Sequence, residues 1–287
     1  SSSLRNIYDY FREKGFIFSQ EILTQYFISL KTKPFVILTG ISGTGKTKIA
    51  QIFAEYICQD EPAEERSKRI AFIPVRPDWM DNKGLLGFYN ILDEKYYDTP
   101  LLRLIFEARN NPAKPYFVIL DEMNLSKVEM YFSDFLSIME SRTVDNEQGE
   151  HLSLHSRKEA CTPTDMPVPD KIHIPGNVFF TGTVNVDETT YMFSPKVLDR
   201  ANVIEFNDID LESYVQANAS SDNFSLSDAE VVDKLMDESY PPFCSIDDFK
   251  QLSTLSSDCA KLLHDLLELL KKYNLHFGYR VVNEISR

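Results

Sequence analysis

The sequence predicts an α/β protein: a parallel sheet with helices on both faces, carrying a phosphate-binding turn and followed by a small all-helical domain. Three observations carry that expectation. Short apolar runs alternate with helical or irregular stretches as far as Phe206, which is the grammar of a parallel sheet. One of those runs leads directly into Gly40-Ile41-Ser42-Gly43-Thr44-Gly45-Lys46-Thr47, a full match to G-x-x-x-x-G-K-[ST]. From about Asp210 onward no strand candidate remains and only helical spacing is left.

In chain order, Ser19 to Leu30 opens on a Ser N-cap and carries apolar residues at helical spacing, predicting a helix. Phe35 to Thr39 is a short β-forming run bounded by Pro34 and Gly40, as expected of a strand buried on both faces. An amphipathic helix is predicted over Lys46 to Cys58. Further strands are expected at Ile70 to Val75, Tyr116 to Leu120, Val178 to Val184 and Asn202 to Phe206. Thr143 to Pro175 is irregular. It reads as two short strands around a turn at Gln148-Gly149, then a Pro-rich loop, inserted at an edge of the sheet. Beyond Asp210, helices are predicted at Ser227 to Met236, Ile246 to Lys272 and about His276 to Arg287. The leucines at 262, 263, 266, 267, 269 and 270 read as core of that helical domain.

The glycines of the 40–47 turn let successive backbone N–H groups converge on an anion. Lys46 can then reach the outer phosphates and Thr47 can offer its hydroxyl to Mg²⁺. Gly40, Ser42, Gly43, Thr44, Gly45, Lys46 and Thr47 are therefore the candidate nucleotide-binding residues. The helix that starts here adds its positive end to the same pocket. The strand Tyr116 to Leu120 ends in Asp121-Glu122, at the carboxyl edge where open α/β sheets bind ligands. Asp121 is the candidate Mg²⁺ residue beside Thr47, and Glu122 the candidate base that takes a proton from water.

The run GISGTGKTKIA, then VRPDWMDNKGLLGFYN, FVILDEMNLSKVEMYFSDFLSIME and TGTVNVDETTYMFSPKVLDRANVIEF resembles the AAA+ NTPase module of McrB-type proteins, the motor subunits of modification-dependent restriction systems. The resemblance implies a five-stranded αβα domain over residues 1–208, with 143–175 as a hairpin and loop insertion, and a helical lid over 209–287. It also implies a ring, six subunits in number, with GTP or ATP between neighbours and GTP favoured. A McrC-like nuclease is the implied partner, with DNA reached through that partner or another domain.

Within the resemblance, Asn185 matches the residue that orients the attacking water, and Arg200 the arginine that reaches a neighbour's nucleotide. Asp199 and Glu205 offer Arg200 salt-bridge partners instead. Arg280 matches a lid arginine that touches the γ-phosphate. One segment departs from the family pattern Asn-x-x-Asp-Arg-[Ser/Thr]: here it reads Asn185-Val186-Asp187-Glu188-Thr189-Thr190, so Glu188, or else Asp187, stands for the acid and the arginine is missing.

Composition excludes other classes. No run approaches the roughly 18 apolar residues of a membrane span, and the N-terminal residues lack the layout of a secretory signal, which predicts a cytoplasmic protein. Cys58, Cys161, Cys244 and Cys259 form no CxxC pair and read as free buried thiols. His151 and His155 read as solvated rather than as metal ligands. A formal charge of −14 opposes a phosphate backbone, so this chain is not expected to grip DNA by itself. Two alternatives stand beside the restriction motor: a MoxR-type ATPase that remodels protein complexes, and a nucleotide-dependent assembly switch with little turnover.

Overall fold

A computed structural model describes residues 6–142, 149–186, 191–206, 235–236, 246–272 and 285–286. The strands, in chain order, are β1 (Phe35–Gly40), β2 (Ile70–Pro74), β3 (Phe88–Asn90), β4 (Lys95–Tyr97), β5 (Tyr116–Asp121), β6 (Leu152–Ser153), β7 (Lys171–Ile172), β8 (Val178–Asn185) and β9 (Asn202–Phe206). The helices of the sheet domain are α1 (Ile7–Glu13), α2 (Gln20–Thr32), α3 (Lys46–Ile57), α4 (Ala63–Arg69), α5 (Lys83–Leu86), α6 (Pro100–Asn110), α7 (Val128–Tyr131), α8 (Ser133–Ser141) and α9 (Pro195–Leu198).

The five strands expected from the sequence form one sheet in the order β2-β5-β8-β1-β9, with every neighbouring pair parallel. Each runs a residue or less from its expected bounds. Apolar runs without alternation are explained by two buried faces. Phe35 and Ile37 of β1 pack into one core together with α6 and α8, while Val36 and Leu38 pack into the other beside α2 and α3. Ser19 caps α2 by accepting from the Ile22 amide, as the sequence predicts. Helix α1, capped by Asn6, was not expected.

The insertion departs from its expected form. The strands that pair are β6 and β7, with Leu152 opposite Ile172, and the chain between them returns through a Cys161–Pro167 bridge. The reversal lies at Thr162–Met166, where Thr162 Oγ1 accepts from the Met166 amide and Asp165 takes a positive φ of 60°. The turn residue Gly149 lies before the first strand instead.

The expected helix Ile246 to Lys272 is two helices, Ile246–Leu255 and Ser257–Lys271, the second capped by Ser256. Its leucines are not all core: Leu263 is buried, whereas Leu262, Leu266 and Leu269 are exposed. At 100° per residue, 262, 266 and 269 share one face and 263, 267 and 270 another, so the run was two stripes rather than one. The helical patterns at 227–234 and 276–284 lie outside the described residues.

Cys58 is buried as expected, but Cys161 is half-buried and Cys259 exposed. His155 is not simply solvated, because its Nε2 lies 2.9 Å from Val168 O. Among the described residues no cluster of three or more metal-ligating side chains occurs, and no helix is long and apolar enough to cross a membrane.

Candidate functional site: a nucleotide cleft at the carboxyl edge of the sheet

The sheet order decides where the site forms. Strands β1 and β5 are separated by β8, so the loops that leave them converge over the end of β8. In register, Gly40 lies opposite Asn185, and Leu120 opposite Gly182. The result is a cleft of about 270 Å³ lined by the phosphate loop, Asp121, Glu122 and Asn185, with Phe16 and Lys48 at its margin.

Glycine is required in the loop for two physical reasons. A Cβ at Gly40 would stand 2.5 Å from the Phe206 carbonyl oxygen of β9. Gly45, the N-cap of α3, takes φ 88°, and a Cβ there would meet the Phe18 ring at 3.0 Å. Lys46 is almost fully buried beneath the loop. Its ammonium donates to Gly40 O at 2.9 Å, Ile41 O at 2.5 Å and Thr44 Oγ1 at 3.4 Å. Those acceptors face the loop interior, so the cation is stationed where outer phosphate oxygens would exchange for them.

Thr47 Oγ1 donates to Asp121 Oδ1 at 2.7 Å, which brings together the two residues expected to share a metal. A hydroxyl and a carboxylate beside a phosphate cradle form a hard, all-oxygen donor set, which fits Mg²⁺ and not a soft metal. Glu122 emerges next, with a backbone φ of 54° and ψ of 52°, and Asn185 Nδ2 donates to its Oε1 at 3.0 Å. The candidate base and the candidate water-orienting residue are therefore in direct contact.

Sequence reasoning missed three residues. Thr183 is buried on β8 and donates to Asp121 Oδ1 at 2.8 Å while accepting from the Glu122 amide at 3.0 Å. The available signal was Thr183-Val184-Asn185, whose outer members share one side of an extended strand. Phe16 and Phe18, on the segment between α1 and α2, have near-parallel rings with centroids 6.4 Å apart and bring an aromatic surface to the loop. An isolated aromatic pair between helices looks like core, and periodicity gave it no other meaning.

Arg200 stands apart from the others. It precedes β9, whose first residue Asn202 pairs with Val36 at the opposite end of β1 from the loop. At about 3.3 Å per residue, the four steps from Val36 to Gly40 alone separate it from its own cleft by roughly 13 Å. Its guanidinium pairs with Glu140 at the end of α8, not with Asp199 or Glu205, and also donates to Lys196 O at 2.5 Å. Glu188 and Arg280 lie outside the described residues.

Over 187 residues the chain is 25% identical to the EcoKMcrB subunit of the type IV methyl-directed restriction enzyme of Escherichia coli (strain K12), covering 64% of this chain and 36% of that protein. It thus spans about a third of that relative's length. NtrX from Brucella abortus, solved in complexes with ADP and with ATP, aligns at 14% and 13% identity with TM-scores of 0.36 and 0.37. Both alignments cover 65% of this chain, and 35% and 36% of the respective NtrX chains. Residues 214–287 match a domain of unknown function (DUF8727). Residues 35–201, more than half of the chain and inclusive of the loop, the acidic pair and Asn185, match the AAA domain (dynein-related subfamily), and the chain belongs to that family.

Proposed function

We propose that the chain is the motor of a restriction complex: a ring-forming nucleoside triphosphatase that hydrolyses GTP or ATP with Mg²⁺ and works on DNA with a nuclease subunit. The observation that carries the hydrolytic part is the meeting of the phosphate loop, Asp121, Glu122 and Asn185 in one cleft. The restriction context is supported by the similarity to the EcoKMcrB subunit, and GTP is favoured over ATP on the McrB resemblance.

In this reading the loop amides and Lys46 hold the triphosphate, while Thr47 and Asp121 hold the cation. When bound, Mg²⁺ neutralises charge on the β- and γ-phosphate oxygens. Asn185 and Glu122 hold the water; its oxygen bonds to the γ-phosphorus, the bond to the bridging oxygen breaks, and Glu122 takes the proton. The purine rests against Phe16 and Phe18, a stacking surface open to either base. Arg200 serves the cleft of a neighbour, because it stands at the wrong end of its own sheet. Glu188 and Arg280 complete the site as an acid and a lid cation.

The test mixes two inactive proteins. Lys46→Ala removes phosphate binding but leaves Arg200 to offer; Arg200→Ala keeps an intact cleft but has nothing to lend. Each alone should lose at least about 10³-fold in phosphate release, in line with arginine fingers elsewhere. Their mixture should recover a measurable fraction of wild-type turnover. Mixtures no more active than the sum of their parts would rule out the action of Arg200 on a neighbour. Wild-type protein that binds nucleotide but releases no phosphate, with or without a nuclease partner, would favour the assembly switch.

A further inference from the structure

We propose that Thr183 is the positioning residue of the metal side of the cleft, holding Asp121 and the Glu122 backbone with one hydroxyl. The inference deepens the triphosphatase reading and rests on it. Strand β8 offers two side chains to the acidic pair, two positions apart and therefore on one side of the strand. Asn185 takes the second carboxylate through its amide, and Thr183 takes the first through its hydroxyl.

A hydroxyl has one proton to give and lone pairs to receive with. Thr183 uses both: it donates to Asp121 Oδ1 at 2.8 Å and accepts from the Glu122 N–H at 3.0 Å. Asp121 Oδ1 also accepts from Thr47 Oγ1, so two hydroxyls converge on one carboxylate oxygen and fix the orientation of the group. Thr183 itself is only 1% exposed and sits in a strand that makes parallel ladders with both β1 and β5. It is thus a rigid support, while Thr47 rides on the loop and helix that must accommodate phosphate. The same hydroxyl anchors the amide at the residue where the backbone turns left-handed, and so sets where the Glu122 carboxylate points.

Thr183→Val keeps the shape and removes the hydroxyl. Binding of ATP and GTP to the purified chain is measured in EDTA and at graded Mg²⁺, together with turnover. The variant should need about tenfold more Mg²⁺ for half-maximal tight binding and turnover, the worth of one charge-assisted hydrogen bond. Its affinity in EDTA should match wild type, and Thr183→Ser should return the Mg²⁺ requirement to within about twofold. Solvent exchange of the Glu122 amide in nucleotide-free protein gives a second reading: Thr183→Val should speed it about tenfold while amides of β1 stay unchanged.

An unaltered Mg²⁺ requirement in Thr183→Val overturns the proposal, as does unaltered exchange at Glu122. Equal losses of EDTA affinity and melting temperature, without rescue by serine, overturn it as well and make Thr183 a packing residue. Wild-type protein whose nucleotide binding ignores Mg²⁺ would instead remove the triphosphatase reading itself.

Discussion

At the scale of single residues, the proposed role of Glu122 as the base sets stability and turnover against each other. An L-residue held at φ 54° and ψ 52° carries backbone strain of about 1–2 kcal/mol, which glycine would not. Glu122→Gly should therefore melt higher than wild type, by a few degrees, yet release no phosphate. Glu122→Gln should keep the strain, bind nucleotide as wild type does and also fail to turn over. Calorimetric melting beside a phosphate-release assay checks both; a glycine variant that melts lower would show that the side chain's own bonds outweigh the strain. The loop, Asp121 and Glu122 were legible in the sequence because each is fixed by local chemistry, a glycine pattern before a helix and acids at a strand end. Thr183 was not, because its role comes from the register of β8 against β5, which no local pattern records.

At the scale of elements, strands were most legible where burial on two faces left a largely apolar run, as in the inner strands β1, β5 and β8, whereas the edge strands β2 and β9 bury only alternate residues. Two-residue strands have no periodicity to show, which is why β6 and β7 were misplaced. That hairpin is expected to respond to pH. His173, one position past the Leu152–Ile172 pair, has its ring 4.4 Å from that of His151. Burial, then the neighbouring His151 and the Arg109 guanidinium, hold its affinity for a proton below the ordinary value of 6.5. The unfolded chain then takes up a proton that the folded hairpin resists, so this stabilisation is intact above about pH 6.5 and lost as pH falls through the lowered value. Amide exchange at Leu152 and Ile172 should speed up between pH 7.5 and 5.5, after correction for intrinsic rates, more than exchange in β5. His173→Gln should abolish the difference; equal acceleration across both elements would contradict it.

At the scale of the whole molecule, the fold class and the cleft could be read from sequence, whereas the separation of Arg200 from its own cleft was implied only by the family resemblance. Sequence order places Arg200 near Asn185, whereas the sheet sends them to opposite edges, since β8 runs up to the cleft and β9 starts again from below. Turnover per mole of protein should accordingly rise with protein concentration and level off only when assembly is complete, as read by phosphate release beside light scattering. A flat specific activity across the assembly transition would mean that a lone copy suffices. Under the proposed sharing of Arg200 between copies, the opposed edges also restrict what kind of assembly can form. A surface that lends a guanidinium and a surface that receives one are different patches, so the contact is heterologous and cannot be satisfied by a two-fold pair. Copies joined this way stack head to tail, each with a fixed direction around the circuit. The final copy must meet the first, or a cleft at one end is left without a donor.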